Sequence, residues 1–175
     1  MSIRFQDFIC FLNDNEMINI HDILNDDENG VINRLKLQKY VYLAQTSLEN
    51  DFGYEYSIYN NGPYSPELAN YYYDNIHPTK ISNFDRSSDW AENKTFTEKF
   101  LGLFKDKEPE WLEVATTLID SSKYCESEQE TLDKVYAIKS KYSMGYIDDV
   151  WAELKEKKLV NNETGLKLNN IFAMF

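Results

Sequence analysis

Residues 59 to 68 read YNNGPYSPEL, and no other stretch of the chain limits the fold as tightly. Two asparagines and a Gly-Pro pair demand a sharp bend. Asn and Gly tolerate turn conformations, while Pro63 fixes its own φ and keeps Gly62 out of the helical region. Ser65 then offers the hydroxyl of an N-cap, and Pro66 takes the first helical position, where a missing N–H costs little. Glu67 adds a charge suited to the positive helix end. Just upstream, GYEYSIY alternates Tyr54, Tyr56 and Ile58 with Glu55, Ser57 and Tyr59, the period of a half-buried strand. The stretch predicts a strand, an elbow, and a helix that ends by His77-Pro78.

The strongest helical period lies in RLKLQKYVYLAQTSLEN, where Leu37, Tyr40, Val41, Ala44 and Leu48 recur on one face. Asn33 is placed to cap that helix, and Arg34, Gln38, Gln45 and Glu49 trace its opposite, solvated side. Before it, FQDFICFLND has apolar residues at 5, 8, 9 and 12 and reads as a first helix. Ile18, Ile20, Ile23 and Leu24 suit a brief second helix or irregular arm, followed by a turn at NDDENG. Residues 79 to 94 are polar around Ile81, Phe84 and Trp90 and read as a short strand or loop. Three further helices follow in FTEKFLGLF, PEWLEVATTLID and EQETLDKVYAIKSKY, with Pro109 at the start of the second. Ile147, Val150, Trp151 and Leu154 then form one face of a last helix, and LVNNETGLKL has the turn residues of a hairpin. The expectation is a mainly α chain with a small β element, a single domain over residues 1–175. It combines a strand-elbow-helix unit with a winged-helix-like helix and hairpin at the C-terminus.

Charge narrows the partners. The chain carries a net charge of −12, and residues 1 to 30 alone hold −6 of it. Affinity for nucleic acid comes from Lys and Arg displacing counterions, so an acidic chain disfavours it. Arg34, Lys36 and Lys39 form a basic run with no acid between Val31 and Leu48, leaving room for one local positive patch. The C-terminal helix sets Lys155, Lys157 and Lys158 against Asp148, Asp149, Glu153 and Glu156, the wrong balance for a recognition helix in the major groove. DNA reading by this helix and hairpin is therefore the alternative to a protein-binding role.

Catalytic signatures are missing from the sequence. His21 and His77 stand alone, Cys10 and Cys125 lack metal or redox spacing, and GxSxG, Walker A and GxGxxG patterns do not occur. No metal, cofactor or catalytic residue is expected, and the cysteines read as buried free thiols. No apolar run reaches membrane-spanning length and the N-terminus lacks a signal pattern, so a cytoplasmic location is expected. Seven tyrosines remain, Tyr54, Tyr56, Tyr59, Tyr64, Tyr71, Tyr72 and Tyr73, within twenty residues. Neighbours on a helix diverge by about 100°, so Tyr71, Tyr72 and Tyr73 cannot share one core and at least one reaches the surface.

The pairing of LKLQKYVYLAQ with IYNNGPYSPEL resembles the YwgA-like proteins and the related Panacea (SocA-like) antitoxin domain. The matching positions are Lys36, Leu37, Gln38, Lys39, Tyr42, Tyr59, Gly62, Pro63, Tyr64, Ser65, Glu67 and Leu68, about 35 residues of the chain. Asn60 and Asn61 depart from the pattern by lengthening the elbow. The resemblance implies a mostly helical domain with a small sheet, encoded by mobile or defence elements of bacteria and archaea. It also implies a non-enzymatic role, with Panacea members binding toxins directly and SocA-like members presenting a toxin to a protease. On that reading the motif is scaffold and the adjoining tyrosines are a contact surface for a protein partner.

Overall fold

A computed structural model describes residues 3–77, 80 and 93–160. Its elements run α1 (Phe5–Asp14), α2 (Glu28–Ser47), β1 (Ser57–Tyr59), β2 (Gly62–Tyr64), α3 (Pro66–Asn75), α4 (Lys94–Phe104), α5 (Pro109–Ser122), α6 (Glu128–Ile138) and α7 (Met144–Glu156). The fold is mainly helical with one small antiparallel sheet, β1 against β2. No helix among the described residues is long and apolar enough to cross a membrane. The chain divides into two compact units, one of Met1–Ser57 with Tyr64–Pro109 and one of Ile58–Pro63 with Glu110–Phe175.

The first unit is built on aromatic rings. Phe8 and Phe100 meet edge to face at 5.2 Å, and Phe100 also packs against Phe11, Tyr40 and Phe104 at 5.9, 5.9 and 5.0 Å. Burying each such ring contributes about 2 kcal/mol or more, and edge-to-face pairs add about 1 kcal/mol. Of the face of α2 predicted from its period, Leu37, Tyr40, Val41 and Ala44 are fully buried, while Leu48 follows the helix end and is half-buried.

Among the described residues three helix ends are followed by a residue other than glycine at positive φ, Glu16, Glu49 and Lys158, and two of these ends close as a Schellman pair. After α1, Glu16 takes φ 59°. Its N–H donates to Asn13 O while that of Met17 donates to Leu12 O, a Schellman pair. Lys158 does the same after α7 at φ 56°, with Leu159 N–H donating to Leu154 O. A side chain in the left-handed region costs about 1 kcal/mol or more. Glu16 is exposed, so Glu16→Gly is expected to raise stability by about 0.5–1 kcal/mol, read as a higher Tm in calorimetry. An unchanged or lower Tm would show that the left-handed backbone at this end is unstrained.

The second unit centres on α5, buried almost continuously from Trp111 to Ser122 and hence on every face. On α7 the buried set is Ile147, Val150, Trp151 and Leu154, the predicted stripe. Ser143 caps that helix by accepting from Tyr146 N–H. Trp111 Nε1 donates to Glu153 Oε2 at 2.7 Å, tying α5 to α7. The Tyr136 hydroxyl of α6 donates to Asp148 of α7, and that hydrogen bond chiefly pushes the phenol up to about 12.

Three sequence expectations need correction. Of the two readings of residues 18 to 24 the structure has the irregular arm of turns, but α2 begins at Glu28, earlier than Asn33. Asp27 is the true cap, accepting from Gly30 N–H at 2.9 Å. Gly30 punctuates nothing: it lies in the first helical turn, where a Cβ would stand 2.0 Å from Asn25 O, so the arm can pass close only over glycine. The strand is shorter than expected. Phe52, Tyr54 and Tyr56 keep the alternation of half-buried side chains, but ladder pairing starts at Ser57, and Ile58 is exposed.

The elbow is itself a hairpin: Asn60 and Asn61 form its turn and GPY is β2. Asn60 and Asn61 stay at negative φ while Gly62 takes φ 89°, the arrangement of a turn closed by a glycine bulge. Ser65 then caps α3 by accepting from Leu68 N–H, with Pro66 at its first position, as predicted. The predicted C-terminal hairpin beyond Val160 and the strand or loop of residues 79 to 94, apart from residues 80, 93 and 94, lie outside the described residues.

Candidate functional site

Gln38 was expected on the wet side of α2 but is buried, because its amide serves the elbow. Its Oε1 accepts from Ser65 N–H and its Nε2 donates to Ser65 O, each at 2.9 Å. A carboxamide is the one neutral side chain that offers a donor and an acceptor side by side, which suits the N–H and C=O of a single residue in extended chain. Two turns later, Gln45 Oε1 accepts from Phe52 and Tyr54 N–H, and its Nε2 donates to Tyr54 O. The supposedly solvated stripe of α2 is thus a row of amide clamps on irregular backbone, which satisfies polar groups that no ladder pairs.

Much of the rest of the motif is also spent on structure. Lys39 and Tyr42 are buried, and the Tyr42 ring meets Tyr56 edge to face at 5.1 Å. Gly62, Pro63 and Ser65 are buried, Tyr64 is half-buried, and Glu67 is exposed in the first turn of α3. Tyr59, on β1, is exposed. Tyr59, Gly62 and Pro63 fall in the second unit and the other motif residues in the first.

The tyrosine run divides by direction, as helix geometry requires. Tyr72 is 2% exposed. Burial raises its phenol above the ordinary range, helped by a hydrogen bond with Tyr64. Tyr71 packs its ring 4.9 Å from Phe5. Tyr73 is 52% exposed. Only Tyr73 of the three presents its ring to solvent.

Beside it stands Arg34. Its guanidinium carbon lies 6.0 Å from the centre of the Tyr73 ring, and Nη1 donates to Ile23 O at 2.6 Å and Asn25 O at 2.8 Å. The cation is held by backbone before any partner arrives, so little rotamer entropy is left to lose. One turn earlier on α2, Val31 is 53% exposed. The basic run makes no patch: Arg34 is committed to these carbonyls, Lys36 is half-buried and Lys39 is buried. Period and charge counting had no means to show that three lysine and arginine side chains on one helix would have three different surroundings.

The second unit holds a cluster that sequence reasoning missed. Glu113 of α5 is 3% exposed and Lys139, just past α6, is 1% exposed. Lys139 Nζ donates to Glu113 Oε1 at 2.7 Å and to the turn carbonyl Asn60 O at 2.6 Å. Lys141 Nζ and the Tyr142 hydroxyl donate to Glu113 Oε2 at 2.9 and 3.1 Å. The carbonyl that this buried ammonium holds belongs to one of the two asparagines that lengthen the elbow. Spacings of 26 and 79 residues leave no local signal of such a contact.

The cations of the last helix are likewise engaged, Lys155 with Glu128 at 2.9 Å and Lys157 with Glu153 at 2.6 Å. Cys10 and Cys125 are buried and in no disulfide. Among the described residues no group of His, Cys, Asp and Glu could hold a metal ion. No protein-family model, curated protein or solved structure matches this chain.

Proposed function

We propose that this chain is a non-enzymatic protein-interaction module, antitoxin-like or adaptor-like, working in the cytoplasm, with Arg34 and Tyr73 at the centre of its contact surface. The observation that carries the reading is the exposed Tyr73 ring with a pre-positioned guanidinium at its side. Tyr and Arg dominate binding hot spots because they bring large, rigid contact area and directional hydrogen bonds. The antitoxin or adaptor character follows from the resemblance of the KLQK helix and GPYS turn to the Panacea and YwgA-like pattern. The amide clamp at Gln38 supports a scaffold role for that motif. A net charge of −12 favours a protein partner over nucleic acid. The ion-paired Lys155 and Lys157 leave α7 little positive charge for DNA.

The test is affinity purification of the tagged chain from its native cells at moderate salt, with mass spectrometry and nucleic-acid staining of the eluate. A stoichiometric protein is expected. Tyr73→Ala or Arg34→Ala is expected to weaken its binding about thirty-fold, the effect of losing one hot spot. Tyr124→Ala, which removes an exposed ring of the second unit, should leave binding unchanged. Equal recovery by all three variants would sink the contact surface, and nucleic acid without protein would move the assignment to DNA binding.

A further inference from the structure

The first lysine of the motif, Lys36, is not spent on scaffold as Gln38 and Lys39 are. It lines a shallow groove of about 400 Å³ between the end of α1, the irregular arm and α2. That volume falls in the range of small-molecule sites. The ammonium is half-buried and makes no hydrogen bond or ion pair with a described residue. Burial pulls it below the ordinary lysine range, a pull that the charge of Glu108 only partly offsets.

Met17 and Ile18 supply an apolar part of the wall, and the polar part is already fixed. Asn33 Oδ1 accepts from Asn19 N–H at 2.6 Å, Asn13 Oδ1 accepts from Ile20 N–H at 3.1 Å, and Asn19 Nδ2 donates to Asp22 at 2.7 Å. Glu16, held at the Schellman end of α1, lines the same groove and supplies the opposite charge. Rigid amides with one cation and one anion do not suit a phosphate, which the carboxylate would repel, nor an apolar ligand, which would strand three asparagines without water.

We propose that this groove binds a small zwitterion, an amino acid or short peptide end, with its carboxylate on Lys36 and its ammonium on Glu16. The site is separate from the Arg34 and Tyr73 surface and does not depend on it. A ligand of this class would neutralise a half-buried ammonium that has no hydrogen bond or ion pair with a described residue, and would meet the groove's cation and anion at once.

The test titrates the full chain, followed by ¹H–¹⁵N correlation spectra, with glycylglycine, acetate and inorganic phosphate. Glycylglycine is expected to shift the side-chain amides of Asn13, Asn19 and Asn33 saturably. Both Lys36→Met and Glu16→Gln should weaken it at least ten-fold, with spectra otherwise unchanged. Lys36→Arg should restore most of the binding. If no probe gives saturable shifts, or if Lys36→Met binds as the parent does, the site does not exist. Acetate or phosphate binding as tightly as glycylglycine, with Glu16→Gln tightening it, would overturn the zwitterion in favour of a plain anion.

Discussion

Lys139→Met is expected to lower the unfolding free energy by about 3–5 kcal/mol, the cost of removing one partner from a buried ion pair. Methionine keeps most of the side chain's length, so the loss reads the charge and hydrogen bonds rather than a cavity. In the variant Glu113 retains Lys141 and Tyr142, but the Asn60 carbonyl loses its ammonium. Glu113→Gln/Lys139→Met is expected to recover most of the loss, because Gln can still accept from Lys141 and Tyr142 and no uncompensated charge is left inside. Urea unfolding followed by tryptophan fluorescence measures both. A loss below about 1 kcal/mol for the single variant would mean that the pair is no tighter than a surface bridge.

The same cluster sets a pH dependence. Burial by itself would raise the Glu113 carboxyl, but the hydrogen bonds and charges of Lys139 and Lys141 outweigh it, and the group sits below the usual carboxylate range. Its contribution is therefore complete above the unfolded value of about 4.3 and is lost as pH falls through the lower folded value. Lys139 is shifted the other way in effect: burial holds it below the usual lysine range, and Glu113 only partly compensates. That shift costs stability while the unfolded lysine is charged, a cost relieved only as pH climbs from the folded value toward about 10.4. Acid should thus weaken the parent more steeply than Glu113→Gln, and equal acid slopes would remove Glu113 from the account.

What could be read in advance was whatever repeats along the chain. The stripe on α7 and the buried face of α2 follow from periods that packing obeys directly, and the cap at Ser65 follows from three adjacent residues. Asp27 was hidden because NDDENG has the composition of a turn. Only the approach of Asn25 O, fixed by the path of the arm, decides that Gly30 belongs inside the helix. Polar residues are harder still. Gln38, Lys36 and Arg34 share one helix and one character in sequence. One clamps the backbone of Ser65, one lines a groove and one lies beside an exposed ring, according to which distant segment passes each. The tyrosine run was legible because helical geometry forces its members apart, while the pairing of Tyr73 with Arg34 depends on how α2 and α3 pack.

Gln38→Ala is the second substitution expected to act strongly, at about 2–3 kcal/mol, since it leaves the buried Ser65 N–H without its partner and takes one of two donors from the Ser65 carbonyl, which keeps Ala69 N–H. Gln38→Glu separates geometry from chemistry. The carboxylate can still accept from Ser65 N–H, yet it turns a lone pair toward Ser65 O where a donor stood, so it should be no better than alanine. A stability within about 0.5 kcal/mol of the parent for either variant would show that the clamp is dispensable. Because Ser65 caps the helix that carries Tyr73, the clamp also fixes the proposed contact surface from behind. Gln38→Ala should therefore weaken partner binding even at temperatures where the chain remains folded, whereas Tyr73→Ala should weaken binding with little change in Tm. Loss of affinity without loss of stability at position 73, and of both at position 38, is the pattern expected when a structural motif supports a surface that it does not itself form.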